Sequence, residues 1–310
     1  MLTKQIKIIL QKPSLQIKIA LITALLIAAL IEQIDITTGY ISSTYMNQGS
    51  MTVLVLLMHI LSYYDFYQSI LFVGFILLIP DIVKGDYLEK KELLCYGSRI
   101  KCARYAIEKI VIFSALYVFW FLFVATIVGG IGLHNFSLEW PKFVEVMQRQ
   151  IARLGVGANA LLNFPIGIID YPEPVVFLLM VIRCILGFSF LGLFAGFITY
   201  VTKKVRNGIG SIIILAAISC YVRLDMGGVF YYWNNLKPEG QRKSALYLSK
   251  YTIQPLFTAC KIDDSFMPWM KYGIVAGIVL CILAAIGILF YYKKIIVIIY
   301  MRFKKSISKV

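Results

Sequence analysis

The sequence predicts an all-α integral membrane protein with six transmembrane helices, N and C termini cytoplasmic, and a short cytosolic helix between the second and third spans. Three observations predict this. The chain has 310 residues, 60 % of them hydrophobic and only 15 % charged, where a soluble domain averages about 45–50 % apolar and about 25 % charged. Its apolar residues fall in long runs, and about 20 residues at a 1.5 Å rise cross a hydrocarbon core of about 30 Å. Its lysines and arginines gather beside those runs, as anchors at a membrane surface do.

The first span is LQIKIALITALLIAALIEQI, residues 15–34. The second covers residues 63–83 and ends in SILFVGFILLIPDIV; the others are 110–133, 175–201, 209–232 and 272–292. Together they make a single transmembrane domain over residues 1–310, with a cytosolic loop at 84–109 and extracellular loops at 134–174 and 233–271. The stretch TVLVLLMHIL, Thr52–Leu61, reaches only about 15 Å and is too short to cross alone. It reads as an interfacial helix or as the outer extension of a long second helix.

Charge sets the orientation. With the N terminus inside, and with Lys18 and Arg223 near span ends counted with the flanking pieces, the cytoplasmic side holds twice as many cations as the outer one, and Arg183 is the cation well inside a span. The bias is sharpest in short loops, where it weighs most: TKKVRNG carries three cations and the Asp35–Tyr63 loop carries none. Glu32, Gln33 and Asp35 stand where a signal peptide needs small residues for cleavage, so the first helix reads as a retained span.

The same features exclude several classes. The net charge of +15 does not form a basic stripe on a soluble module, so no nucleic-acid partner is expected. The six cysteines form no CxxC, and only Cys260 falls in an outer segment, so neither a metal site nor a disulfide framework is expected. His59 and His134 are the only histidines and stand far apart. A membrane-embedded enzyme acting on lipids would need clustered His, Asp, Glu or Ser groups at one depth, and the sequence offers none. A non-transporting anchor or sensor subunit is the other alternative.

One stretch breaks the apolar pattern: DIVKGDYLEKKELLCYGSRIKCARYAIEK, Asp81–Lys109. Gly85 ends the incoming helix. Asp86 can cap a new one, with Glu89 at capping-box spacing. That helix carries Lys90, Lys91 and Glu92 and stops at Gly97, a natural C-terminal breaker. Ser98 can cap the next helix, which starts at Arg99 and runs into the third span. Arg104 and Glu108 can pair at i, i+4, and Ile100, Ala103, Ile107 and Ile110 share a face. The spacing predicts two cytosolic helices at a Gly-Ser corner, the second near the membrane surface. Such a loop is either a solvated connector or a rigid, charge-patterned foothold for a soluble partner.

Six spans with termini inside, an acidic residue closing the second span, and the charged helix before YGSRIKCARYAIEK resemble the permease subunits of ABC-2 type (type-2 ABC) exporters. The corner in those permeases has the pattern G-x-R…Y…K, matched here by Gly97, Arg99, Tyr105 and Lys109. The resemblance implies that Asp86–Arg99 is the coupling element, docking in a groove on a separate ABC ATP-binding subunit. It implies a second permease copy or a related permease beside this one, with ATP and Mg on the partner ATPase. No G-x-x-x-x-G-K followed by Ser or Thr occurs in this chain, so no cofactor is expected on it and the chain itself is not expected to be an enzyme. The 233–271 loop is longer than the compact hairpin of many relatives.

Within the spans, Arg183 is the one deep cation and should face the interior. Glu32, Asp35, Asp65 and Asp170 are its candidate partners in a structural ion pair; a place on an anionic or peptide substrate path is the other reading. Gly192–Gly196 and Gly273–Gly277 allow close helix contact, within the subunit or at a dimer seam. Phe230–Trp233, Trp269, Tyr291 and Tyr292 read as interface belts. In WPKFVEVMQRQIARLGV, a stripe of Phe143, Val144, Met147, Ile151 and Leu154 opposes Lys142, Glu145 and Arg149; this and KSALYLSKYTIQPLF read as helices on the outer leaflet, either caps that gate an exit or structural lids. Without a large external domain, export of a hydrophobic or amphipathic cargo (peptide, drug or lipid-like) is expected. The abundance of Ile and Lys suggests a bacterial source, hence a bacterial plasma membrane.

Overall fold

The computed structural model describes residues 11–45, 48–62, 67–83, 99–154, 167–223 and 266–307. Among these the regular elements are all helices: α1 Pro13–Thr44, α2 Val53–Ser62, α3 Val73–Val83, α4 Arg99–Leu133, α5 Lys142–Leu154, α6 Glu173–Thr202, α7 Val205–Arg223 and α8 Phe266–Ile307. A π-helical turn, Tyr67–Phe72, leads into α3, and a 3-10 turn, Ile168–Asp170, precedes α6.

Local chemistry explains the boundaries. Pro13 opens α1, where its missing N–H is no loss. The Thr52 hydroxyl caps α2 by accepting a hydrogen bond from the Val55 N–H at 3.1 Å. Pro172 and Pro174 bracket the start of α6, and Lys203, with a φ of 58°, ends it in the left-handed region. Only Lys203 and Lys204 separate α6 from α7. Inside the apolar helices, hydroxyls turn back on their own carbonyls: Thr37 on Gln33, Ser114 on Ile110 and Thr126 on Leu122. That satisfies donors that lipid could not.

α6 is the central post, packed against α8, α7, α4, α2 and α3. Contacts give the helix directions. α6 and α8 run parallel, since Phe266 meets Tyr171, the Cys281 thiol reaches the Leu186 carbonyl, and Gly287 faces Phe197. α4 runs against α6, with Phe188 on Tyr117 and Ile110 over Gly192 and Gly196. α1 runs alongside α4, Ile34 reaching Gly132. One end of the bundle therefore holds the starts of α1, α4 and α7; the other holds α2's start, α5 and the start of α6. Exposed apolar residues such as Leu21 and Ile31 on α1, Phe123 on α4 and Ile282 and Phe290 on α8 form the girdle that lipid would cover.

Four helices are long and apolar enough to cross a membrane: Pro13–Thr44, Ile100–Leu133, Glu173–Thr202 and Met270–Tyr291. The second and fifth expected spans appear as the shorter apolar stretches Ile70–Val83 and Val205–Leu215. The Thr52–Leu61 segment is not an interfacial helix. Residues Val55 to Leu61 of α2 are buried in the bundle, and α2, the π turn and α3 follow one another along α4. Val53 N–H meets the Asn135 carbonyl, Leu56 meets Gly129, and Leu71 meets Tyr117. The segment is buried in the bundle and packs along α4 beside the π turn and α3.

Arg99–Leu133 is one continuous helix, so the helix that starts at Arg99 runs straight into the third expected span. The α5 stripe does not face outward. Phe143, Val144 and Met147 are buried against the protein, with Phe143 on Tyr45 at 6.2 Å, so α5 caps the bundle end. The second segment, KSALYLSKYTIQPLF at 243–257, lies outside the described residues, as do Phe230–Trp233.

Candidate functional site

The two stems of the charged loop are fixed to the bundle at the same end. α3 closes on Pro80 and Asp81, and Asp81 forms an ion pair with Lys18 of α1. Lys18 sits within the apolar helix, and its long stem carries the ammonium to the Asp81 carboxylate in the last turn of α3. The other stem begins at Arg99. Its Tyr105 and Lys109 point inward and are buried, Lys109 to 0 % exposure. Lys12 of α1 lies close enough to act on Lys109 electrostatically. Arg104 pairs with Glu108 at 2.7 Å, as the spacing predicts, but both are exposed and the pair adds little.

The ion pair gives a first prediction. Asp81→Lys should lower stability by about 1–2 kcal/mol, between the values for exposed and fully buried pairs, because both side chains are mostly covered. Lys18→Asp combined with Asp81→Lys should recover most of the loss in a detergent melting curve. If the two losses simply add, the pair does not tie α1 to α3.

Of the sequence-predicted coupling residues, Asp86, Glu89, Lys90, Lys91, Glu92, Gly97 and Ser98 lie outside the described residues, and Arg99 is the first residue of α4. Arg183 faces the interior at 3 % exposure, as expected. Three of its candidate partners do not share that interior: Glu32, Asp35 and Asp170 are exposed. Asp65 lies outside the described residues.

Among the described residues, the buried acid was missed by the sequence reading. Glu173, at 1 % exposure, opens α6 and accepts a hydrogen bond from Thr52 at 3.2 Å. Its only sequence signal is its place beside Pro172 and Pro174, where a first-turn acid suits the helix dipole. Also missed was the buried Gln33–His59 contact at 3.0 Å, which joins α1 to α2. Polar groups thus meet in pairs that tie helices together: Lys18–Asp81 at one end, and Gln33–His59 and Thr52–Glu173 toward the other.

The glycine spacing Gly192–Gly196 works inside the chain. A Cβ on Gly192 would lie 2.6 Å from the Ile110 side chain, and one on Gly196 would lie 3.0 Å from it, so α4 uses both gaps.

Four long apolar helices and all-helical packing mark a multi-pass membrane protein. No family model, curated protein or solved structure matches the chain.

Proposed function

We propose that this chain is the membrane-spanning permease subunit of an ATP-driven exporter of the ABC-2 type, acting with a separate ATP-binding subunit. In this reading the chain crosses the membrane six times, counting α2 to α3 as one crossing and α7 as another. The alternating helix directions support the count. Lys12, Lys18, Lys109, Lys203 and Lys204 collect at one end, which supports placing that end, and both termini, in the cytoplasm of a bacterial plasma membrane.

The observation that carries the proposal is the anchoring of the charged loop. A loop that transmits force needs stiff roots. Here one root is the Lys18–Asp81 pair, and the other is a continuous helix whose Tyr105 and Lys109 are buried. Closure of two ATPase subunits, each holding ATP and Mg, would push this loop in each of two permease copies, or in this chain and a related one. The bundles would then shift from inward to outward access. A hydrophobic or amphipathic cargo suits an apolar path.

The test is whether a Walker-motif ATPase is encoded in a neighbouring reading frame and co-purifies with this chain, followed by nucleotide-dependent vesicle transport of candidate peptides. Glu89→Lys combined with Arg99→Glu should release the ATPase and stop transport. Retention of both by that double variant overturns the assignment. So does labelling of a cysteine at Ser98 by an impermeant reagent in intact cells.

A further inference from the structure

The second helical run is not a simple α-helix. Tyr67–Phe72 is wound as a π turn, whose i→i+5 bonding encloses one residue more than an α turn needs. One α-helical residue corresponds to about 100° of rotation and 1.5 Å of rise. The turn therefore decides which face α3 presents, and whether Asp81 falls on Lys18.

What holds the turn is specific. The Tyr117 hydroxyl donates to the Leu71 carbonyl at 2.7 Å, inside the bundle. Its ring is wedged between Phe75, at 5.5 Å, and Phe188, at 5.3 Å. The hydroxyl reaches that carbonyl only because the next residue but two is Gly74: a Cβ there would sit 2.6 Å from the Tyr117 oxygen. Three features that sequence periodicity does not reveal meet at one point: an extra residue, a hydroxyl and a missing side chain.

The geometry points to a register switch. Tyr117 is a positioning residue that holds the π turn, and the π turn sets the rotation of α3 and thus the contact of Asp81 with Lys18. Releasing the hydroxyl lets the turn rewind as α-helix, turns α3 by about 100° and carries Asp81 away from Lys18. That is a motion of the loop root. Its link to transport rests on the function proposed above, but the switch itself does not, and its test needs neither ATPase nor substrate.

The readout is coupling of Lys18 to Asp81 by a membrane-permeant carbodiimide in membranes holding the full chain, scored as the linked peptide by mass spectrometry. Tyr117→Phe should cut the yield at least threefold. Trp120→Phe, which alters a ring packed on Tyr117 but keeps the hydroxyl bond, should leave it unchanged. Deletion of Ser69 removes the extra residue. It should keep the wild-type yield and make that yield insensitive to Tyr117→Phe. Wild-type yield in Tyr117→Phe overturns the switch, as does an equal fall in Trp120→Phe. Loss of the link on deletion of Ser69, in a chain that still elutes as a folded species, also overturns it. If Tyr117→Phe does not fold, the deletion decides alone. Should the link behave as expected while the ATPase fails to co-purify, the switch stands and the exporter reading falls.

Discussion

Gly208→Val is expected to destabilise the protein by about 3 kcal/mol, the upper part of the range for overpacking a filled interior. Gly208 lies in the first turn of α7, where that helix crosses the last turns of α6. A Cβ added there would fall within contact distance of the Ala195 carbonyl oxygen and the Thr199 hydroxyl, with the Ala195 carbonyl carbon at 3.2 Å. Two of those atoms are backbone and cannot rotate away. Nor can the helices slide apart, since only Lys203 and Lys204 join them. Gly210, two residues on, is the control: among the described residues nothing lies within 4 Å of its Cβ position. Gly210→Ala should therefore be neutral or gain up to about 1 kcal/mol of helix propensity. Melting of both variants in detergent checks the contrast, and equal midpoints would show that α6 and α7 do not touch at Gly208.

That pair of glycines shows what the sequence could and could not convey. Gly192 and Gly196 are legible because four-residue spacing places them on one helix face, and Ile110 does occupy the gap. Gly208 is as important, but it has no spacing partner and reads as part of the short loop TKKVRNG. Contact between two helices depends on both, and one strand of sequence shows only one of them.

The same limit governs the other elements. Hydrophobic run length located the four long helices, because the cost of unpaired backbone in lipid forces every crossing into a helix, but not their ends: α1 runs on to Thr44, α4 starts at Arg99 and α8 runs on to Ile307. It could not find the π turn, since SILFV is apolar whichever way it is wound. Helical period correctly drew the stripe of Phe143, Val144 and Met147, but period fixes only which residues share a face. Whether lipid or protein covers that face is decided by Tyr45, about a hundred positions earlier. Likewise the depth argument for Arg183 selected acids near the helix ends by distance along the axis. Glu32 and Asp35 lie on the wrong side of α1, a fact set by how α1 rotates against α4.

Thr52→Val should cost about as much as the glycine change, for a different reason. The Thr52 hydroxyl does two jobs: it accepts from the Val55 N–H at 3.1 Å and donates to Glu173 at 3.2 Å. Valine keeps the shape and removes both. Loss of the cap costs about 1 kcal/mol. The larger part falls on Glu173, which is 1 % exposed and whose other carboxyl oxygen has no hydrogen-bond partner among the described residues. Stranding such a group costs about 1–3 kcal/mol, so the sum is about 3 kcal/mol. Thr52→Ser keeps the hydroxyl and should lose less than about 1 kcal/mol, the value of one buried methyl. The orphaned acid predicts a non-additive cycle. In the Thr52→Val background, Glu173→Leu should restore part of the lost stability, because it removes the group left without a donor. In the wild-type background the same change should destabilise. If Glu173→Leu costs the same in both, the carboxylate does not depend on Thr52, and the join between α2 and α6 is carried by Val55, Leu56 and their apolar neighbours alone.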